Sequence, residues 1–329
     1  MATKKKNKKV DKKFKSNTKK KNKKKYKVRN WHDYNESLKQ RGALDVWIEE
    51  SVIENWYAEP NNKRGAQPIY SNLAILITLQ LGKVFGQRLR QNEGLVNSVF
   101  KIMRIDLDVP NFSTLSRRGG NVKVKLPKDS KKKVVLVGDS SGLKVYGEGE
   151  WKVRKHGWSK HLAWRKMRLI IAPDGEIREA ELTENNVSDD EVAVALLDQE
   201  KAEIEGFAGD GAFDTRKVYD KCLEKEIKNI LIPPKKNARI WQHGNCNAPP
   251  HPRDENLRQI RATSLKEWKE NAGYHVRSLS ETAMFRFKTI FGDRLDARNF
   301  NQQRNEFLIK ASILNKMMKL GMPDSYAVG

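Results

Sequence analysis

The chain reads as an α/β protein on three observations. Val134-Val-Leu-Val-Gly-Asp139 is a short apolar run that ends in an acid beside a glycine. Ile204-Glu-Gly-Phe-Ala-Gly-Asp210 is a shorter, weaker copy of the same pattern. Buried strands have this form, and ligands gather at the carboxyl ends of such strands. The third observation is that strand and helix signals alternate through the second half of the chain, which is the order of an α/β sheet covered by helices.

Residues 1–29 form a separate segment. They hold 15 Lys and Arg29 against Asp11, a net +15 of the chain's +24. With almost no apolar side chain to bury, this tail is expected to be disordered. It would neutralise DNA phosphates without sequence preference; the plainer alternative is a solubilising tail. Residues 30–130 read as mostly helical. Asn72–Phe85 is apolar nearly all round and so central to that region, and Gly94–Arg104 sets Leu95, Val96, Val99, Phe100 and Met103 on one face. Asn111 or Ser113 starts a short helix that Gly119-Gly120 ends. Its basic end, Arg117-Arg118, fits a helix-turn-helix reader of DNA, and a plain helical bundle fits the pattern equally well.

From 131 to 329 the order is strand, strand, strand, helix, strand, helix, strand, helix. After the Asp139 strand, Lys144–Trp151, Leu169–Ala172 and Ile177–Leu182 read as strands, with Pro173-Asp-Gly175 as a turn. Ser188, with Glu191 completing a capping box, starts a helix to about Glu200. Thr215 starts another to about Glu226, followed by the strand Ile230–Ile232. Arg298–Leu320 is a last amphipathic helix, with Phe307, Leu308, Ala311 and Leu314 turned inward.

Composition narrows the function. A net charge of +24 on 329 residues favours a polyanion, nucleic acid before membrane. Leu73–Leu81, the most apolar stretch, is too short to cross a bilayer. The lysine-dense start has no apolar core of a secretory signal. Cys222 and Cys246 give no disulfide framework, so a cytoplasmic protein is expected. No phosphate-loop pattern is present, so ATP is not expected to be needed. His243, Cys246 and His251 match no zinc-finger spacing, even with Asp254 as an improvised fourth ligand; an exposed loop is the better reading.

The chemistry concentrates in Tyr274–Lys288. On a helix, Tyr274, Arg277, Glu281 and Lys288 share one narrow stripe, while Val276, Leu279, Ala283, Phe287 and Ile290 form a core stripe on the far side. A carboxylate flanked by cations and a phenol suits a phosphate-handling metal site; a solvated face with an Arg277–Glu281 pair is the bland alternative. Two strand-end acids, Asp139 and Asp210, with Glu281 would suffice to hold two Mg²⁺ ions. Further basic residues stand ready for a DNA backbone: Lys152, Lys155 and Arg165 in a run interleaved with tryptophans, and Lys235 and Lys236 in a loop.

These motifs carry a resemblance. Asp139-Ser-Ser-Gly-Leu-Lys-Val-Tyr-Gly-Glu-Gly-Glu-Trp151, Gly209-Asp210-Gly-Ala-Phe-Asp214, and the Tyr274/Arg277/Glu281/Lys288 spacing resemble the DDE transposases of bacterial insertion sequences, above all the insertion-sequence-five family. The likeness runs from about Asn30 to about Lys319. It implies a ribonuclease-H-like mixed sheet flanked by helices, preceded by the helical region, here read as DNA-binding, and the basic tail. It implies that Asp139, Asp210 and Glu281 bind the metal, Mg²⁺ with Mn²⁺ as a substitute, and that Tyr274, Arg277 and Lys288 are accessory. It also implies cutting at the element's terminal inverted repeats, joining to target DNA, and a homodimer holding the two ends.

Overall fold

In the computed structural model, which describes residues 25–60, 64–129, 133–145, 164–242 and 249–328, one long strand organises the second half of the chain. The first half holds β1 (Lys25–Val28) and helices α1 (Trp31–Gln40), α2 (Leu44–Trp47), α3 (Glu50–Glu54), α4 (Asn72–Val84), α5 (Leu89–Met103) and α6 (Phe112–Gly119). Strands β2 (Lys133–Val145), β3 (Trp164–Ile171) and β4 (Ile177–Glu184) follow. Next come α7 (Asp189–Gln199), β5 (Glu203–Ala208), α8 (Arg216–Glu224), β6 (Asn229–Leu231), α9 (Pro252–Ala262) and α10 (Leu265–Asn271). The last elements are α11 (Ser278–Phe291), β7 (Arg294–Leu295), α12 (Phe300–Lys319) and β8 (Ser325–Val328).

The main sheet has the order β4-β3-β2-β5-β6, with β7 pairing the far end of β2. The β2–β3–β4 meander is antiparallel, and β5, β6 and β7 add in parallel. This mixed sheet with helices on both faces has the ribonuclease-H-like architecture that the resemblance implied. Alternation along β2 sorts its two faces. Val134 and Leu136 pack under α7 and α8 with Leu196, Val218 and Tyr219. Val137 and Leu143 pack on the other face with Phe287 of α11 and Phe307 of α12.

Of the expected strand Lys144–Trp151 only Lys144 and Val145 are described, and they continue the strand of Asp139. β2 runs unbroken from Lys133 through Asp139 to Val145, and residues 146–163 lie outside the described residues. Gly138, Ser140, Ser141 and Gly142 hold register against Ile170, Arg168, Met167 and Lys166 of β3. Their small size answers to neighbouring rings. A Cβ at Gly138 would lie 3.1 Å from Phe207, and one at Gly142 would lie 2.9 Å from Trp164. The expected strand Leu169–Ala172 likewise begins earlier, at Trp164.

The last helix, expected to be amphipathic, is buried on two sides. Phe307, Ala311 and Leu314 of α12 join the sheet core. Ile309, Ile313 and Met317 join Trp47, Trp56, Ala74 and Leu81 of the helical region. Asn111 does cap α6, accepting from Thr114 N at 2.8 Å. Ser188 and Thr215 precede α7 and α8, but neither side chain makes a cap bond. Met103, expected on the inward face of α5, is 41 % exposed because the helix ends there and Arg104 turns left-handed at φ 57°. The basic tail also ends sooner than expected. Residues 25–28 pair with Ser325–Val328 as a two-stranded ribbon, since a β-compatible Tyr26 and Val28 find a partner strand there; residues 1–24 lie outside the described residues.

Candidate active site

Asp139 sits in the middle of β2 on the same face as Val137, Ser141 and Leu143, the face that α11 covers. It is buried. In the parallel pair of β2 and β5, Val137 stands opposite Ala208. Asp139 and Asp210, each two residues further on, therefore emerge from strands about 4.8 Å apart. β5 stops at Ala208, and Asp210 accepts from Ala212 N at 2.9 Å to start the short turn Gly211–Phe213. Gly209 has no room for a side chain, because a Cβ would meet Phe213 at 2.6 Å.

The third acid arrives from α11, and the path to it differs from the single helix expected. Gly273 is left-handed at φ 69°, Tyr274–Arg277 form one 3-10 turn, and the α-helix begins at Ser278. The cause is an anchor. Tyr274 is buried and donates its hydroxyl to Gly209 O at 3.0 Å, and burial pushes that hydroxyl up to about 12. That bond ties the 3-10 turn to the residue before Asp210. The core side of α11 is Ala283, Met284 and Phe287. Ile290, expected among them, is 40 % exposed near the helix end.

Arg277 joins the acids. Its Nη1 lies 2.7 Å from Glu281 Oε1 and its Nη2 lies 3.4 Å from Asp139 Oδ1. The intrahelical pair offered as the bland alternative is therefore present, and the same guanidinium also reaches the β2 acid. Its Nε is buried, with no acceptor among the described residues. Lys288, two turns beyond Glu281, donates to Ser141 Oγ at 2.8 Å. A residue that sequence reasoning missed completes the group. Ser280 Oγ is 3.0 Å from Asp139 Oδ2 and 2.7 Å from Arg277 O, so its one proton serves either. The signal was its place on the helix, directly before Glu281 and between the acid stripe and the core stripe.

Electrostatics set the appetite of this cluster for positive charge. Burial pushes the Asp139 carboxyl above the usual range, Asp210 adds to the push, and Arg277, Ser140 N–H and Ser280 pull against it. A buried acid with a second acid nearby favours a cation beside it. Among the described residues no three His, Cys, Asp or Glu side chains are gathered closely enough to hold a metal ion. The donor set still fits a hard divalent ion, since it is all carboxylate oxygen. Glu281 is 63 % exposed at its side chain, so it is free to leave Arg277 by a rotamer change.

The comparisons agree with this geometry. A family model described as a transposase DDE domain matches residues 130–316, more than half of the chain and all three acids. The chain belongs to the DDE transposase family. A second model of the same description matches residues 39–148, which takes in the helical region and ends just past Asp139.

The other basic residues of this transposase are scattered. Arg117 and the side chains of Lys235 and Lys236 are exposed. Arg118 is turned inward, donating to Tyr70 O and Asn72 Oδ1 at the start of α4. Arg165 is held by Gln303 at 3.0 Å and lies over the Phe300 ring. Lys152 and Lys155 lie outside the described residues, as do His243 and Cys246. Asp254, the improvised zinc ligand, accepts from Trp241 N and Gln242 N. Asp214 of the second motif is structural, bound on both oxygens by Arg253 at 2.6 and 3.2 Å. Among the described residues no helix is long and apolar enough to cross a membrane.

Proposed function

We propose that this transposase, of insertion-sequence-five type by its motif spacing, binds the terminal inverted repeats of its element, cuts there and joins the ends to target DNA. The observation that carries the proposal is the meeting of Asp139 and Glu281 on Arg277, with Asp210 just past the end of the neighbouring strand β5. Asp139, Asp210 and Glu281 would hold divalent ions, Mg²⁺ first and Mn²⁺ as a substitute. When bound there, such ions would supply Lewis acidity toward an attacking hydroxyl and a leaving oxygen of a phosphodiester.

The chain's own residues supply the rest. Arg277 exchanges its two carboxylates for the oxygens of the scissile phosphate, with its orphaned Nε–H as a further donor. Lys288 leaves Ser141 to balance charge on the same phosphate. Tyr274, through Gly209 O, and Ser280, through Asp139 Oδ2, hold two of the acids in place. Arg117, Lys235 and Lys236 contact the DNA backbone, with the basic tail adding non-specific affinity. Two copies, one for each end, form the working complex.

The test incubates the purified protein and Mg²⁺ with end-labelled DNA carrying the repeats that flank its gene, plus a second, unlabelled DNA. Nicks at the repeat boundary and labelled strands joined to the second DNA are expected. Cutting without joining would make it a nuclease of the same fold. Binding without cutting in either Mg²⁺ or Mn²⁺ would make it a DNA-binding regulator.

A further inference from the structure

Phe285 stands apart among the large apolar residues of the catalytic half. It is 69 % exposed, and among the described residues no ring or cation pairs with it. It follows Glu281 by four residues and precedes Lys288 by three, so all three share one face of α11. The neighbours along that face, Thr282 and Thr289, are exposed and polar. The core side of α11 is already filled by Ala283, Met284 and Phe287, so the Phe285 ring adds no burial to the fold. It projects from the edge of the acid cluster, on the helix that carries one of the acids and a cation reaching β2.

We infer that Phe285 is a base-stacking residue: its ring receives an unpaired base of the DNA strand next to the phosphate held at Asp139, Asp210 and Glu281. The inference rests on the proposed end-cutting function and deepens it. The occupant follows from continuity with the site. A phosphate placed between Arg277 and Lys288 puts its own nucleotide within one helical turn of Phe285. An exposed π-face accepts any base, and stacking of this kind tolerates every sequence. A base drawn onto the ring leaves its duplex partner, which opens the strand for in-line attack on the adjacent bond.

The experiment compares wild type, Phe285→Ala and Phe285→Trp on the flanking repeats, intact or with a single abasic site moved across the three nucleotides on each side of the cut. On intact ends Phe285→Ala is expected to cut about tenfold or more slowly, since one base–aromatic stack contributes that much. Phe285→Trp should cut near the wild-type rate. At one abasic position the gap between wild type and Phe285→Ala should close to about twofold, because no base is left to stack. A general structural defect would persist on every substrate. The indole emission that Phe285→Trp adds over wild type should fall on binding repeat DNA and recover when that same nucleotide is abasic. Phe285→Ala cutting at the wild-type rate on intact ends would overturn the inference, as would a deficit equal on all substrates. If wild type binds but never cuts, the proposed function fails, and the added indole emission decides the stacking on its own.

Discussion

Asp139→Asn is expected to lower strand cleavage about a thousandfold or more while leaving affinity for the element ends within about twofold. The size follows from the carboxylate's place. Loss of one of three acids weakens an electrostatic contribution of several kcal/mol to the transition state, and each 1.36 kcal/mol is tenfold in rate. The fold should survive. With its oxygen in the Oδ1 place the amide still accepts from Ser140 N–H and Arg277, and Ser280 keeps Arg277 O as its acceptor. Affinity for DNA should survive too, because phosphate contacts from many cations supply most of it. Gel-shift and cleavage assays on the same preparation check both halves. Cleavage within tenfold of wild type would remove Asp139 from the catalytic group.

The largest effect on stability is expected at Glu306, far from the chemistry. This α12 carboxylate is 5 % exposed. It meets Lys83 of α4 and Lys310 of its own helix, each at 2.9 Å, and accepts from Asp296 N and Ala297 N. It ties the helical region to the helix that underlies the sheet. Glu306→Gln keeps the shape but turns an amide toward the buried Lys310 ammonium and the partly buried Lys83, which keeps Asp296 at 3.0 Å. Breaking one partner of a buried ionic group costs about 3–5 kcal/mol, a fall in Tm on the order of 10 °C for a chain of this size. The effect should depend on pH. Burial pushes the Glu306 carboxyl up, yet Lys83 and Lys310 together hold it below the usual glutamate value. A lowered carboxyl stabilises the fold fully above the unfolded pKa, about 4.3, and loses that contribution as pH falls through its own lower value. The gap in Tm between wild type and Glu306→Gln should therefore be full near pH 7 and narrow below about pH 4. A Tm unchanged at pH 7 would deny the tie any weight.

Local pattern made much of the site legible. Asp139 and Asp210 stand at the ends of apolar runs because both runs are buried parallel neighbours in one sheet, and the Glu281 helix shows its core stripe in sequence. What stayed hidden depends on contacts between distant residues. The lack of a side chain at Gly138 and Gly142 has no visible cause in the sequence until Phe207 and Trp164 are seen to need the space. Tyr274 resembles a phosphate contact until its hydroxyl is found on Gly209 O, 65 residues away. Ser280 carries no motif, and its partner Asp139 lies 141 residues earlier. The two-sided burial of α12 escapes a reading by faces, because polar residues such as Glu306, Lys310 and Asn315 are buried with it in bonded pairs.

The most direct test of whether Asp139, Asp210 and Glu281 hold a metal ion uses Fe²⁺ as a probe, with ascorbate and peroxide, on the full chain incubated with its repeat DNA. Radicals formed at the ion cut the protein backbone close to where it sits. Cuts around Asp139, Asp210 and Glu281, suppressed by excess Mg²⁺ and lost in Asp139→Asn and Asp210→Asn, are the expected result. Cuts elsewhere, or a pattern unchanged by either substitution, would contradict a metal centre built from these three acids.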